Sequence, residues 1–455
     1  MKKVGMTAIQ KTIKVDPSAK GLRRSLSVLL LFFISGLSPH SFATAGEKAA
    51  LEKVNPQEEL HLLVQQFLAS ADPDQSDSLM KEIKNYKGAT VQGLEKAVET
   101  GLYPPQPLVG PLHLSIQVDG EPKAYALYVP EKYNPASSYP LIICLHGAGF
   151  NGDTYLERWQ ARLGEKALLA CPTMENGAWW TPEAETLILG VIDSIQSKYH
   201  IDPNRIFLTG MSNGGIGSYL IGMFHADRFA AISPMAAGIP EEIFPFLKNL
   251  TSTGIYIIHG SKDEVMPVSL SRKASDYLKG EGIRYTYREH DLQHPMAGGH
   301  FFPKEELPAL VAWFEQQHRN PYPVRVISVR DQVHLAPFYW TEINETAGEV
   351  ANVQDSMFDK KEVERVKKGA FSTLIAEVRR NRIEVKTERV KKYTLYFNHR
   401  LIDFSKPVVI MTNGQKSFEG KLSESPEALL KEAKRRKDPG AFYSASVTVD
   451  VPPPK

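Results

Sequence analysis

The chain has 455 residues, 42% of them hydrophobic and 23% charged, and a formal net charge of +2. That length allows two or three domains, the composition is that of a globular protein, and the near-neutral balance excludes a broad basic surface for nucleic acid. With two cysteines, Cys144 and Cys171, a disulfide scaffold is excluded as well.

The first 45 residues stand apart. They carry seven Lys/Arg against one Asp, so the remainder is left near −4. An apolar run, VLLLFFISGL over 28–37, follows Arg23-Arg24, and Ala43-Thr44-Ala45 forms an A-x-A site before Gly46. These are the three regions of a cleavable signal peptide, cut after Ala45. The run is shorter than the ~20 apolar residues a membrane span needs. A later start, such as Met6, would shorten the long basic lead, and an uncleaved anchor is the alternative. A secreted or periplasmic protein is expected. In that setting Cys144 and Cys171 are open to pairing if their strands are neighbours, and buried thiols otherwise.

Residues 46–110 read as a polar helical segment and linker. Apolar residues recur at helical spacing over 58–69, a second helix fits 92–99, and Pro104, Pro105, Pro107 and Pro111 break the chain. The segment is too small for its own core, so its helices are expected to pack on the next domain; a cap over an active site is the lesser alternative.

From Leu112 the pattern changes. Residues 112–118 and 123–129 flank Asp119-Gly120 as a β-hairpin. Continuous apolar runs at 141–145 and 167–171 suit doubly covered parallel strands. A helix over 183–199, strands at 206–209, 229–233, 254–259 and 284–288, and helices over 215–224, 268–279 and 305–318 complete an α/β alternation. That alternation means a doubly wound, mostly parallel sheet.

Within it, Gly210-Met211-Ser212-Asn213-Gly214 fits G-x-S-x-G between a strand and a helix. A serine on such a turn is pushed out toward solvent, and the helix start behind it presents free N–H groups. A serine hydroxyl is a weak nucleophile until a base and an orienting acid assist it. The candidate acid is Asp263, in a loop after an apolar strand, with Glu264 as the close alternative. The candidate bases are His290, His294 and His300. Trp179 and Trp180 follow a parallel strand, where they would line a substrate subsite or pack a loop. The histidines lack metal-ligand spacing, and no P-loop or dinucleotide fingerprint is present, so no metal or cofactor is expected.

After Asn320-Pro321-Tyr322-Pro323 the chain turns β-rich. Residues 376–387 alternate about a turn at 380–382, 390–398 and 408–412 read as strands, and Asn413-Gly414 signals a hairpin into 418–422. A helix fits 426–436 and a last strand 441–451. A small β-sandwich-like domain over 320–455 is expected. Its run Lys434-Arg435-Arg436-Lys437 suits a solvated helix end. Phe338-Tyr339-Trp340 suits core packing, or a carbohydrate-binding patch.

Together, Pro140-Leu-Ile-Ile-Cys-Leu-His-Gly-Ala-Gly149, the 201–215 stretch ending in Gly-Met-Ser-Asn-Gly-Gly, His259-Gly-Ser-Lys-Asp-Glu-Val-Met-Pro267 and Gly298-Gly-His-Phe301 make residues 111–319 resemble the α/β-hydrolase superfamily. The likeness is to secreted carboxylesterases, feruloyl esterases and polyhydroxybutyrate depolymerases, with prolyl-oligopeptidase-type domains nearby. The resemblance implies a catalytic order Ser212, Asp263, His300. It also implies an oxyanion hole from the backbone N–H groups of Ala148 and Asn213, with His146 ordering the first of those loops. The expected function is an exported serine hydrolase of carboxylic esters, acting on a small-molecule or polymeric substrate. A related peptidase is the near alternative. A non-catalytic protein that contacts polysaccharide or envelope through its C-terminal domain is the distant one. The oligomeric state is left open.

Overall fold

Among the described residues three helices precede the first strand. The computed structural model describes residues 56–301, 303–356 and 359–453. The expected signal peptide, with its expected cleavage after Ala45, and residues 46–55 lie outside the described residues. Helix α1 spans Pro56–Ala69, α2 Pro73–Asn85 and α3 Val91–Glu99. Hydrophobic periodicity did not announce α2, whose sequence is mostly polar. It starts because Asp72 accepts the N–H groups of Asp74 and Gln75 ahead of a helix-compatible Pro73. Its Leu79, Met80 and Ile83 join Val64, Phe67 and Leu94 in an apolar cluster that Leu429 and Leu430, near the other end of the chain, complete. The expectation that these helices pack on the next domain is therefore corrected. Each carries only a narrow apolar stripe, and the surface that matches it is a C-terminal helix. The linker after α3 does run along the central domain, with Tyr103 stacked on His200 at 5.0 Å.

Eight strands form the central sheet: β1 (Gly110–Val118), β2 (Glu121–Val129), β3 (Tyr139–Leu145), β4 (Leu168–Pro172), β5 (Ile201–Met211), β6 (Ala231–Met235), β7 (Gly254–Gly260) and β8 (Thr286–His290). Their spatial order is β1-β2-β4-β3-β5-β6-β7-β8, and only β2 runs against the rest. Asp119 and Gly120 both have positive φ, the I′ geometry that a two-residue hairpin prefers. Helices α4 (Gly152–Leu163), α5 (Pro182–Gln196), α6 (Asn213–Phe224), α7 (Ser269–Gly280) and α8 (Leu307–Phe314) cover both faces. Alternate residues of one strand therefore enter different cores. Leu141, Ile143 and Leu145 pack with residues of α5 and α6, while Ile142 and Cys144 pack with Trp159 of α4 and Phe314 of α8. Ile143 pairs with Ala170 across β3 and β4, so Cys144 and Cys171 are neighbours. Both are buried and unbridged.

Beyond residue 320 lie β9 (Arg325–Arg330), β10 (Thr341–Thr346), α9 (Val353–Ser356), α10 (Lys360–Lys367), β11 (Ser372–Arg379), β12 (Arg382–Glu388), β13 (Val390–Phe397), β14 (Val408–Thr412), β15 (Gln415–Gly420), α11 (Pro426–Arg436) and β16 (Ala445–Asp450). They form a five-stranded sheet, β15-β14-β12-β11-β9, and a three-stranded one, β10-β13-β16. Leu374 and Ile383 of the first share a core with Ile343 and Leu395 of the second, and that core continues into the central one. Phe338, Tyr339 and Trp340 are buried in it, which removes the carbohydrate-patch reading of that triplet. The basic run is not simply solvated either. Lys434 sits 4.6 Å over the Phe67 ring, and Arg436 lies over both Tyr396 and Tyr443.

Polar groups stitch the C-terminal sheets to the central domain. Asn249 exchanges two hydrogen bonds with the backbone of Val329 in β9, at 2.7 and 3.0 Å. Arg319 and Asp438 form a buried bidentate pair. Between α5, α6 and the segment after β9, His334 places Nδ1 2.7 Å from Asp331 and Nε2 2.9 Å from Glu185. Its ring stacks on Phe224 at 3.7 Å. Glu185 also meets His225 and accepts from Gln354, and the adjacent Arg330 donates to the carbonyl of Phe224.

Candidate active site

Apolar β5 ends at Met211, and Ser212 follows with φ 58° and ψ −122° before α6 begins at Asn213. A non-glycine residue in that conformation stores about 1–3 kcal/mol of strain, which the surroundings must hold. The Ser212 N–H donates to the carbonyl of Met235 in β6 at 2.9 Å. The flanking glycines are required by close approach. A Cβ on Gly214 would lie 2.1 Å from the carbonyl oxygen of Leu145, and one on Gly210 would lie 2.4 Å from that of Gly214. Strand, elbow and helix are thus packed backbone against backbone, and the Ser212 hydroxyl is what projects.

The loop after β7 and the loop before α8 meet over this serine. Gly299 donates its N–H to Lys262 at 2.7 Å, and Asp263 bridges to Gly298. Gly298 has φ +56°, and a Cβ there would lie 2.3 Å from the carbonyl of Lys262. His300 is carried onto Ser212: its Nε2 is 3.1 Å from Ser212 Oγ, and its Nδ1 is 2.8 Å from Asp263 Oδ2. The other carboxylate oxygen, Oδ1, accepts the N–H groups of Val265 and Met266 at 2.9 and 2.7 Å. Burial alone would raise the Asp263 pKa. Donors from His259, His300 and Met266 outweigh it and hold the carboxyl below its usual range. An ionised Asp263 makes His300 Nδ1 the proton carrier, which leaves Nε2 free to accept from the serine.

The remaining candidates are elsewhere. Glu264 and His294 are exposed, and His290 is buried with its ring against Phe301. Trp179 is corrected from the substrate subsite. It is 1% exposed, donates its indole N–H to the carbonyl of His146 at 2.7 Å, and packs on Gly217. Trp180 lines a small void with Leu220, Phe224 and Val353, among residues that include none of Ser212, Asp263 and His300. Two features escaped the sequence reading. His259 sits wholly buried beside Asp263, a polar residue closing an apolar strand. Phe150, Val265, Leu292 and Met296, all exposed, lie on the same loops that carry Ala148, Asp263 and His300.

The loop after β3 abuts the elbow. The position of a Cβ on Gly147 is 3.5 Å from Ser212 Cβ. His146 is fully buried, accepts the Met174 N–H at Nε2 and donates from Nδ1 to the carbonyl of Gly147 at 2.8 Å. Burial lowers its pKa, which favours the neutral ring this bonding needs. Residues 147–150 form a turn closed by Phe150 N–H on Gly147, with Gly149 at φ +78°. Asn213, first residue of α6, anchors the facing 174–181 loop through its side chain, which donates to Asn176 at 3.1 Å. The N–H groups of Ala148 and Asn213 take no protein acceptor among the described residues. The arrangement is a half-buried serine hydroxyl with a base, an oriented acid and a helix N-terminus beside it. Such a set suits addition to a carbonyl, where negative charge develops on oxygen. Among the described residues no group of His, Cys, Asp or Glu is arranged to hold a metal.

Comparison with known proteins agrees with the fold. A model of the phospholipase/carboxylesterase family matches residues 178–307. A probable feruloyl esterase C of Aspergillus oryzae is 29% identical over 179 residues, which cover 36% of this chain and 64% of that protein. Feruloyl esterase C of Emericella nidulans is 26% identical over 194 residues, covering 40% of this chain and 68% of that one. The chain thus spans somewhat under two thirds of the length of the first curated relatives it matches. Among solved structures, a thermostable esterase aligns at 28% identity with a TM-score of 0.39, covering 46% of this chain and 63% of that one.

Proposed function

This chain belongs to the α/β-hydrolase superfamily, and on that premise we propose that it is an exported serine hydrolase that cleaves carboxylic esters. The observation that carries the reading is the unbroken hydrogen-bonded line from Ser212 Oγ through His300 to Asp263 at a strained strand-to-helix turn. In the proposed reaction Ser212 Oγ attacks the ester carbonyl while His300 Nε2 takes its proton. Negative charge gathers on the carbonyl oxygen between the N–H groups of Ala148 and Asn213. Each such donor is worth ~10²–10³ in turnover. His300 then gives the proton to the departing alcohol, leaving an acyl group on Ser212, and a water activated by the same ring releases the acid. Asp263 keeps the proton on Nδ1 and stabilises the imidazolium without being protonated itself.

For the acyl group we favour a hydroxycinnamoyl type. The relatives named above carry the name feruloyl esterase, and apolar Phe150, Val265 and Leu292 on the surrounding loops suit an aromatic acid better than a charged one. The test is labelling with a fluorophosphonate probe, together with turnover of methyl ferulate and p-nitrophenyl acetate. The expected result is labelling of wild type that is abolished in Ser212→Ala and collapses in His300→Ala. An unlabelled, folded wild type would sink the proposal. Methyl ferulate left intact while the acetate is cleaved would remove the hydroxycinnamoyl preference alone.

A further inference from the structure

The proposed chemistry leaves one buried titratable side chain at the centre of the site unused. His259 is the next-to-last residue of β7, four residues before Asp263, and both side chains are wholly buried. Its Nε2 lies 2.8 Å from the carbonyl oxygen of Met266 and 3.3 Å from Asp263 Oδ2. A carbonyl only accepts, so Nε2 carries a proton and donates into the acid turn. On the other side of the ring, Nδ1 lies 2.7 Å from Ser271 Oγ in α7, which is itself 3.0 Å from the carbonyl of Ala237. The imidazole is therefore held from both edges, by the turn it supports and by a helix behind it.

We propose that His259 is a positioning residue for Asp263, its Nε2–H holding the Met266 carbonyl of the acid turn and, shared with it, steadying Oδ2, the carboxylate oxygen 3.3 Å away that orients the catalytic histidine. The proposal rests on the serine-hydrolase reading above. Oδ1 is fixed by two backbone N–H groups, but among the described residues Oδ2 faces only His300 and His259. During the reaction His300 must exchange one partner for another, first Ser212 and then a leaving group. With His300 as its sole donor, Oδ2 would follow that motion by rotation of the carboxylate. A second N–H beside Oδ2, shared with the Met266 carbonyl and carried on a buried strand that does not move with the ring, keeps Oδ2 in place, and near-ångström errors of this kind cost rate. The surrounding charges do not compete for this contact. Glu289, in register with His259 on β8, is tied to Arg272. His290 follows it on the same strand, and Tyr219 on α6 lies at the Ser271 end.

The experiment compares wild type with His259→Leu, His259→Gln and Ser271→Ala, with Ser212→Ala as the control for the underlying reading. In His259→Leu, kcat is expected to fall about 10- to 100-fold, the range for losing one donor to a charged group. KM stays close to the wild-type value. The acidic limb of kcat/KM moves to higher pH, because a carboxylate relieved of a donor holds the His300 imidazolium more tightly. His259→Gln, whose amide N–H reaches toward the place of Nε2, recovers most of the loss. Ser271→Ala frees the ring at Nδ1 and loses several-fold in kcat with KM unchanged. A folded His259→Leu enzyme with wild-type kcat and pH limb overturns the proposal. So does an inactive one whose pH limb has not moved and which Gln does not rescue, since that is the pattern of mere misfolding. If the Leu variant does not fold, wild-type behaviour in Ser271→Ala overturns it instead. Turnover surviving in Ser212→Ala would sink the serine-hydrolase reading itself, a result none of the His259 variants mimics.

Discussion

His334 makes a pH-dependent contribution to holding the C-terminal sheets on the central domain, and its size can be worked from the structure. Burial among Phe224 and its neighbours would lower the pKa of the ring. Hydrogen bonds to Asp331 and Glu185 outweigh that and push it up from 6.5 to about 9. A group whose folded pKa is raised contributes stability that is fully present below its unfolded value and lost as pH climbs through the folded one. The window here is therefore pH 6.5 to 9. A shift of roughly 2.5 units at 1.36 kcal/mol each corresponds to about 3 kcal/mol. Unfolding entropy near 2.1 cal/mol/K per residue over roughly 400 residues makes 1 kcal/mol worth about 1 °C, so the effect is about 3–4 °C in Tm. The assay is thermal unfolding of wild type and His334→Gln at pH 6, 7.5 and 9.5. The variant keeps a donor for one carboxylate but cannot charge. Wild type is expected to lead it by the full margin at pH 6, and the lead narrows by about 3–4 °C by pH 9.5. Arg330, His225 and Gln354, which also face this cluster, are unchanged in both proteins. A difference in Tm that is flat across pH would refute the charged-ring assignment.

Other outcomes follow from the geometry. Asp263→Asn offers an N–H where His300 Nδ1 needs an acceptor, and kcat is expected to fall about 10⁴-fold with little change in melting, read by p-nitrophenyl acetate turnover and thermal unfolding. Gly214→Ala drives a methyl against the Leu145 carbonyl. It is expected to cost about 1–3 kcal/mol and to disturb the Ala148 loop, so both Tm and kcat drop. Leu430→Ala opens the cluster between α11 and the first three helices and is expected to cost about 2–5 kcal/mol in chemical denaturation while kcat holds. The proposed export predicts that N-terminal sequencing of the protein recovered after secretion begins at Gly46, and a sequence beginning at Met1 or Met6 would refute cleavage.

What was legible in the sequence was whatever local chemistry alone decides. The D-G hairpin, the apolar parallel strands and the strand–glycine–serine–glycine–helix turn each declare themselves within a few residues. The order Ser212, Asp263, His300 needed the resemblance to a superfamily, because three histidines lay within eleven residues and composition alone does not rank them. The misreadings were all decided by tertiary partners. Helix α2 has three buried apolar residues and a polar remainder, so its stripe becomes visible only against α1 and α11. Trp179 reads equally well as rim or filler until the His146 carbonyl is found waiting for its indole N–H. Lys434 and Arg436 look solvated in sequence because aromatic partners such as Phe67 and Tyr443 are remote or on other elements. His259 was quoted as part of a motif and given no role, since a histidine at a strand end shows nothing of which carboxylate oxygen it faces.

The union of α1–α3 with α11 has a consequence for how the chain acquires its structure. Lys84 pairs with Glu427 across 343 residues, and the apolar faces of the first three helices have their partner at Leu429 and Leu430. Contacts of such separation demand that a very long loop be closed before they stabilise anything. The segment synthesised early thus has no place to dock until nearly all of the chain has been made, and its helices are too short to hold themselves in water. Packing of α1–α3 belongs to the last stage of folding, and proteolysis during refolding should find this segment susceptible after the central sheet has become resistant.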